Sequence, residues 1–430
     1  MVRAVAVFAL AVAVTVIVTP PPLAAQPVLP LPAPAEPLEP RQAARSGYAP
    51  QGIRLGVVHL YPEVGVGRSF RDETFAHIAG ANAHGWVSRA EADLGAEARS
   101  GPWAAVLRAD AARQQGPAAF VGDGWQAGTA VDLRLGLGRW AVAEAAAGWQ
   151  RRLEPRTAPL APGQGAEPTP VVTTGARLGL SSQHGTLGAA ITAEARHLRF
   201  ADVPRLGVPL LPMLASLDNS DRDRTVATLG AEVAWRPGEL SSLYLRGGIG
   251  RIDYARAEDD FLHRRDGDTA HLLAGFALGR PDRWRLFVEA GPLRRGSSDP
   301  RLPPVSTLAV NGGLTLAVTP LVTSQLVVGT SIAETTRPGV TAVVARRVAL
   351  EVEHEALRSL VLLSTAEATW NHYVGPDRHD ASLAFGSGVR WRLGPVLRLE
   401  MMVRQEQYES DFAADSYTAT EGTLRLAARF

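Results

Sequence analysis

The feature that most constrains the fold is an alternation of apolar and polar side chains with a period of two residues. At the end of the chain, every second position from Leu424 to Phe430 is apolar, and Arg425 and Arg429 lie between them. This period is that of a β-strand with two different faces. Comparable segments predict eighteen strands, at about 52–66, 86–99, 102–114, 125–137, 140–152, 170–183, 186–200, 222–236, 241–255, 267–279, 284–295, 304–318, 321–332, 340–355, 359–372, 379–393, 396–408 and 416–430.

Alternation does not by itself distinguish a soluble β-sandwich from a membrane barrel, but the connections between the strands do. The even-numbered connections are tight turns, at 100–101, 138–139, 184–185, 237–240, 280–283, 319–320, 356–358 and 394–395. The odd-numbered connections are longer, among them 67–85, 153–169, 201–221 and 256–266. Short turns at one rim and long loops at the other are typical of outer-membrane barrels, with the turns in the periplasm. We therefore predict an all-β fold, a transmembrane antiparallel β-barrel of about 18 strands with 16 as the alternative, and both termini on the periplasmic side.

The first fifty residues are predicted to lie outside the barrel. Residues 1–25 have the layout of a secretory signal peptide, with a basic start, an apolar run and a small-residue cleavage site. The alternative is a membrane anchor, but the run is shorter than the ~20 residues that a spanning helix needs. Residues 26–50 are rich in proline, which lacks the N–H of a β-ladder, and predict a disordered periplasmic linker. Docking of this linker to peptidoglycan or a partner is the alternative, and residues 51–430 are assigned to the barrel.

The composition excludes several classes of function. The chain has no cysteine, which leaves no disulfide framework, thiolate metal site or cysteine nucleophile. Its net charge of +1 argues against a nucleic-acid partner. The mean hydropathy of −0.01 suits a barrel, because each strand has one lipid-facing and one polar face. No cofactor is predicted.

Tryptophans lie near the predicted strand ends, where the aromatic girdles of an outer-membrane barrel would place them. An ordinary core location is the alternative. The residues are Trp103, Trp140, Trp149, Trp235, Trp284, Trp370 and Trp391.

Two groups of residues are candidates for chemistry, and the first comprises Glu353-His354-Glu355 and Asn371-His372. A hydrolytic site is disfavoured, because Glu353 and His354 are adjacent on a strand and must face opposite ways, and no serine lies in a Gly-x-Ser-x-Gly elbow. Two acidic clusters could bind Ca²⁺, but they lack the spacing of a calcium loop and predict solvated extracellular loops instead. These clusters are Asp218, Asn219, Asp221 and Asp223, and Glu258, Asp259 and Asp260.

The polar faces of the strands are the remaining candidate site. Their charges have mixed signs, which predicts cross-strand ladders around a wet lumen and no strong ion selectivity. The side chains predicted to line the lumen are Arg108, Asp110, Arg134, Glu194, Arg196, Glu232, Arg246, Arg285, Glu289, Arg347, Glu351, Arg398, Glu400, Arg425 and Arg429.

Two stretches resemble known proteins. The final strand ending at Phe430 resembles the closing strand of bacterial outer-membrane barrels, whose assembly machinery reads such an end. Residues 52–75, GIRLGVVHLYPEVGVGRSFRDETF, resemble the start of the putative β-barrel porin 2 family, in which a glycine-spaced strand precedes a proline, a Val/Gly-rich stretch and an acidic first loop. The Tyr-Asp-x-Asn-like segment that usually follows in the family is absent, and only Asp72 and Glu73 stand there.

This resemblance implies an outer-membrane conduit for exopolysaccharide export, working with periplasmic export proteins and carrying no catalytic residue. The alternatives are a general diffusion porin for small solutes and, from another class, a barrel hydrolase acting on lipid or lipopolysaccharide. The expected partners are outer-membrane lipid and lipopolysaccharide, the barrel-assembly machinery, and a polysaccharide or small solute as cargo. The expected location is the bacterial outer membrane.

Overall fold

The computed structural model describes residues 52–75, 82–158, 165–205, 216–238, 240–280 and 283–430. The predicted signal peptide and linker lie outside these residues. The described chain forms eighteen long strands, here β1 to β18: Val58–Phe75, Ala83–Ser100, Trp103–Gln115, Asp123–Leu137, Ala141–Glu154, Thr169–His184, Leu187–Phe200, Arg224–Gly238, Ser241–Tyr254, Gly267–Arg280, Trp284–Arg295, Val305–Thr319, Val322–Ala333, Ala342–Leu357, Leu360–Val374, Arg378–Arg392, Leu397–Ser410 and Tyr417–Arg429.

The strands form one closed antiparallel barrel. Each strand pairs with its neighbours in sequence, and β1 pairs with β18 from Glu63 opposite Arg429 to Phe75 opposite Tyr417. The backbone N–H of Phe430 donates to the carbonyl of Pro62 at 3.1 Å and extends this closure to the last residue. Closure pairs the first strand with the last and leaves the sheet no open terminal edge, which is the condition for a sheet to cross a bilayer. The predicted eighteen-stranded barrel is therefore confirmed.

The remaining elements are short. Ile53–Leu55 pairs with the start of β1, and Val203–Pro204 pairs with Ser216–Leu217. Two 3₁₀ turns lie at Ser220–Arg222 and Ala413–Asp415. Among the described residues, no helix is long and apolar enough to span a membrane.

The connections, each numbered after the strand that it follows, alternate in length as predicted. No even-numbered connection exceeds four residues, whereas connection 7 occupies residues 201–223. Connection 15, at residues 375–377, is a short exception on the long-loop rim. The prediction that the first strand ends at residue 66 was wrong. The strand continues to Phe75, because outward-facing Val66 and Phe70 still alternate with inward-facing Ser69 and Glu73.

The tryptophans form two belts on the outer face of the barrel. Trp103, Trp140, Trp235, Trp284 and Trp391 lie near the short-turn rim, and Trp86, Trp125, Trp149 and Trp370 lie toward the long-loop rim. Trp391 is opposite Leu360, ten residues before Trp370 on β15. Ten residues of a strand tilted by about 40° span about 25 Å along the barrel axis, the height of an outer-membrane apolar band.

Candidate functional site

A dense ion-pair cluster lies on the inner face at the short-turn end of β1, β2, β17 and β18. We call Glu63, Glu91, Arg398, Glu400 and Arg425 the basal cluster. Arg425 contacts the carboxylates of Glu63 at 2.6 Å and Glu400 at 2.8 Å, and also that of Glu91. Arg398 contacts Glu63 at 2.8 Å and Glu400 at 2.9 Å. Because each charge has several partners, these side chains are held in place and not free to sweep the lumen.

Most of the other predicted lumen residues also form ion pairs with side chains on the same face. The pairs are Arg108–Asp132 at 3.2 Å, Asp110–Arg152 at 2.8 Å, Arg134–Glu144 at 3.9 Å, Glu194–Arg196 at 2.8 Å, Arg246–Glu232 at 3.9 Å, Arg246–Glu289, Arg347–Glu367 at 2.8 Å and Arg429–Glu63 at 2.5 Å. Arg285 lies opposite Gly279 and Thr315, and Glu351 lies opposite Gln325 and Thr365. Their lining of a conducting path remains a prediction.

Sequence reasoning missed six residues of this network, although each occupies an inward position of its strand. They are Glu63, Glu91, Asp132, Glu144, Arg152 and Glu367. Applying the same alternation to the strands next to each predicted residue would have identified them.

Toward the long-loop rim the inner face becomes apolar. Buried Val171, Leu198, Phe200, Val226, Ile252 and Tyr254 form one cluster on the inner faces of β6 to β9. On the outer face at the same height, exposed Arg251 pairs with Asp253 at 2.8 Å and Asp268 at 3.4 Å. At this height the outer face is polar and the inner face is apolar, the reverse of the membrane-spanning part of the barrel. The outer face lies in water beyond the bilayer, and the inner face is covered by protein. The polar inner faces that the sequence predicts therefore do not extend to this part of the wall.

Near the long-loop rim, β13 leaves β12 and enters the lumen with connection 13 and the start of β14, which stays paired with β15 from Ala342 opposite Val374. The ladder between β12 and β13 ends at Gly312 opposite Val328. Beyond it, side chains replace the backbone pairs: Asn311 accepts the N–H of Thr330 at 3.0 Å, and the Thr330 hydroxyl donates to the Val310 carbonyl at 3.2 Å. We call residues 329–347 the inner hairpin.

Apolar packing holds the inner hairpin against the wall. Its side chains Ile332, Ala342 and Val344 form one buried cluster with Leu273, Leu293, Val305 and Ala309 of β10 to β12. These hairpin side chains occupy outward positions of their strands, and the wall side chains occupy inward positions. The outer face of the hairpin therefore rests on the inner face of the barrel, and each large side chain so buried contributes about 1.5–3 kcal/mol.

A buried arginine ties the tip of the inner hairpin to connection 9. The Arg265 guanidinium contacts Asp259 at 2.7 Å and donates to the carbonyls of Thr335 at 2.8 Å, Arg337 at 3.0 Å and Val340. The Arg337 carbonyl also accepts the N–H of Val340 at 3.2 Å, whereas the tip forms no ladder that would pair the carbonyls of Thr335 and Val340. Arg265 thus supplies to the tip the hydrogen-bond donors that a neighbouring strand would otherwise provide. We call these contacts the Arg265 clamp.

A second buried pair secures the start of the tip. Arg295 contacts both carboxylate oxygens of Glu334, at 2.9 and 2.7 Å, and the Tyr254 hydroxyl donates to Glu334 at 2.8 Å. Bidentate geometry of this kind fixes orientation as well as distance. Glu334 belongs to connection 13 and Tyr254 ends β9, so the contact reaches past the three intervening strands.

The other side of the inner hairpin is tied to the wall near β16 and β17. Arg337 contacts Asp415 of connection 17 at 2.9 Å, and Arg378 contacts the same carboxylate at 2.7 Å. Arg378 also contacts Asp380 at 2.6 Å. Since the Arg265 clamp holds the tip from the side of β9 and β10, the inner hairpin lies across the lumen between two parts of the wall.

Connections 5 and 7 also make inward contacts at the long-loop rim. Arg156 of connection 5 contacts Glu73 of β1 at 3.0 Å, and Arg222 of connection 7 contacts Glu154 of β5 at 2.8 Å. All four side chains are almost completely buried. Together with the inner hairpin, these connections narrow the lumen from several sides.

The acidic clusters are only partly the solvated loops that the sequence predicts. Asp218 and Asp260 are half exposed and share Arg256, at 3.3 and 3.1 Å. Asn219, Asp221 and Asp259 are buried, which corrects the prediction for these three residues. Connections 7 and 9 fold onto each other and the inner hairpin, and the polar residues at that junction lose their water.

The electrostatics of this junction follow from burial. Burial, reinforced by the charge of Asp260, raises the pKa of Asp221 to about 6. Hydrogen bonds from Ser220 lower the pKa of Asp218. Asp221 therefore changes charge closer to neutral pH than an ordinary aspartate does.

The residues considered for hydrolysis do not meet in one site. Glu353 contacts Arg390 at 3.4 Å, whereas His354, the next residue on β14, lies on the opposite face. Asn371 is buried on the inner face, and His372 on the outer face contacts His379 of β16 at 3.0 Å.

The fold and the lumen agree with a comparison to protein families. A family model described as putative beta-barrel porin 2 matches residues 45–430. The chain belongs to the putative beta-barrel porin 2 family. This family and the closed barrel place the protein in the bacterial outer membrane, as the sequence predicts.

Solved structures with a similar fold include porins of Pseudomonas aeruginosa. OpdK with vanillate is 12% identical, with 86% of this chain and 99% of that chain covered and a TM-score of 0.48. OccK2 (OpdF) in complex with glucuronate is 13% identical, with 86% and 98% covered and a TM-score of 0.48. OpdL is 15% identical, with 87% and 99% covered and a TM-score of 0.45. Among curated proteins, none matches the sequence significantly.

Proposed function

We propose that this porin is a passive diffusion pore for small polar solutes. The observation that carries the proposal is the inner hairpin, which crosses the lumen and is secured by the Arg265 clamp on one side and Asp415 on the other. Eighteen strands alone enclose a lumen wide enough for an aqueous channel. A fixed obstruction inside such a barrel limits the size of the solutes that pass.

The route that we propose runs between the inner hairpin and the charged inner faces toward the basal cluster. A polar solute there exchanges hydrogen bonds with water for weak bonds to arginine and carboxylate side chains. Because the charges are already paired, no single group binds the solute strongly, and release remains fast. The direction of net flux then follows the concentration gradient.

Exopolysaccharide export, implied by the family resemblance, is the second candidate. The inward-lying charges of the basal cluster could hydrogen-bond sugar hydroxyls. A polymer would pass only with the inner hairpin displaced, and its direction would have to come from periplasmic export proteins. This candidate therefore requires an opening step that simple diffusion does not.

Permeation by solutes of graded size tests the proposal. The purified barrel in liposomes should admit monosaccharides and exclude oligosaccharides of four or more units. A variant in which residues 335–340 are replaced by a short Gly-Ser linker should admit the larger sugars. Equal entry of all sizes into liposomes with the unaltered protein, or no entry at all, would contradict the proposal.

Deletion of the gene separates the two candidates in cells. Slower uptake of small solutes with normal surface polysaccharide is the result expected for a diffusion pore. Loss of surface polysaccharide with normal uptake would favour export and direct attention to periplasmic partners.

A further inference from the structure

Two histidines face each other on the outside of the barrel, just above the tryptophan belt of the long-loop rim. His372 of β15 is directly opposite His379 of β16. Trp370 precedes His372 by two residues and points to the same face. The two imidazoles therefore lie beyond the apolar band, on the extracellular side, where dissolved ions reach them.

A carboxylate completes the group. Asp377 belongs to the three-residue connection between the two strands, and its Oδ1 lies 3.8 Å from His379 Nδ1. His372 Nδ1 lies 3.0 Å from His379 Nε2. His372, Asp377 and His379 each offer one ligand atom, and these atoms lie within 4.8 Å of one another.

The 3.0 Å between His372 Nδ1 and His379 Nε2 is close to the spacing of two ligands on one small metal ion. Zinc bonds of about 2.0–2.1 Å in tetrahedral geometry separate neighbouring ligand atoms by about 3.3 Å. The two rings are stacked at 4.6 Å with 30° between their planes, so one ring must turn for both lone pairs to meet at one point. The side chains of His379 and Asp377 are exposed to solvent.

A fourth residue orients His379. Asp411 of connection 17 accepts the backbone N–H of His379 at 2.7 Å, and its carboxylate lies 3.8 Å from the ring Nδ1. The ring Nε2 atom of His379 faces His372 Nδ1 at 3.0 Å, which makes Nε2 the ligand atom on that side of the ring.

We propose that His372, His379 and Asp377 bind one divalent transition metal ion, with Zn²⁺ as the reference ion. Two imidazoles and one carboxylate suit zinc, copper and nickel, whereas calcium and magnesium prefer a shell of oxygen atoms. Three protein ligands leave one position for water. The site lies outside the lumen and does not depend on which solute the pore carries.

Metal binding would join β15 to β16 beside a contact of the inner hairpin. His379 follows Arg378, which contacts Asp415, the carboxylate that also holds Arg337. The ion would thus stiffen the wall at the point where the hairpin is attached.

Zinc titration of untagged, chelator-stripped protein in detergent, followed by calorimetry, tests the site. We expect one equivalent to bind with micromolar affinity or tighter. H372A and H379A should each weaken binding at least about 10-fold, since loss of a mere second-shell partner already costs about 10–100-fold. D377N should also weaken it, and H354A, which removes an outer-face histidine elsewhere, should leave it unchanged.

Copper titration monitored by electron paramagnetic resonance gives a second readout. The signal of two nitrogen ligands should appear in the unaltered protein and be lost in H372A. Unaltered heat-shifted gel mobility shows that the variants form the barrel. Absence of zinc binding at about 1 mM would overturn the proposal. This concentration detects a binding free energy as weak as about −4 kcal/mol. Unaltered affinity in the double variant H372A/H379A would overturn it as well.

Discussion

Removal of the Arg265 guanidinium should release the tip of the inner hairpin without unfolding the barrel. In Arg265→Ala, Asp259 loses its 2.7 Å partner and the carbonyls of Thr335 and Val340 lose their donor. The Arg337 carbonyl loses one of its two donors and keeps the N–H of Val340. No water can replace these bonds while the tip remains docked, because the Arg265 and Asp259 side chains are buried. The barrel itself keeps its ladders, since the clamp joins two connections and no pair of strands.

The size of the effect follows from the cost of an unpaired buried charge. Breaking a buried ion pair by removal of one partner costs about 3–5 kcal/mol. All of this cost falls on the docked state, because the released tip and Asp259 are solvated. The ratio of docked to released hairpin should therefore fall about 10²- to 10⁴-fold.

Single-channel recording in planar bilayers measures this change. The unaltered protein should give a small steady conductance, and Arg265→Ala a larger or rapidly fluctuating one. Ile332→Ala should act in the same direction, because the cavity that it leaves between hairpin and wall costs about 2–5 kcal/mol. Arg251→Ala removes an exposed arginine of the outer face and serves as the matched control. Unaltered conductance in both Arg265→Ala and Ile332→Ala would refute the assignment of the hairpin as the constriction.

Three further predictions concern pH, selectivity and assembly. Burial raises the pKa of Asp221 from 3.8 to about 6, so near pH 5 the docked loops bind a proton that the released loops do not. Docking of the loops is therefore favoured below about pH 6 and weakened above it. Conductance should therefore fall between pH 7.5 and 5, and Asp221→Asn should lose this part of the pH dependence. Arg425→Gln leaves three carboxylates of the basal cluster without their shared cation and should shift the reversal potential in a salt gradient toward cation selectivity; an unaltered potential would place the cluster outside the conducting path. Deletion of Phe430 should lower the amount of barrel in outer-membrane fractions by impairing recognition by the assembly machinery, whereas Phe385→Ala, a lipid-facing control, should not.

The sequence by itself determined the barrel. Strand alternation such as that from Leu424 to Phe430 reports only on local geometry, and a barrel wall needs nothing else because each strand pairs with its neighbour in sequence. The parity of connection lengths followed from the same local signals. The family resemblance in residues 52–75 was confirmed over the barrel, although the strand there extends to Phe75.

Only the tertiary structure decided what the barrel contains. Ile332 and Val344 occupy outward positions that alternation assigns to lipid, yet they pack on the inner wall because β13 leaves β12 after Val328. Arg265 looks like a solvated loop residue in sequence, and its role depends on carbonyls seventy or more residues away. Alternation distinguishes the two faces of a strand but does not show which residues each face contacts. It therefore predicted the wall of the barrel, whereas the position of the inner hairpin depends on long-range packing.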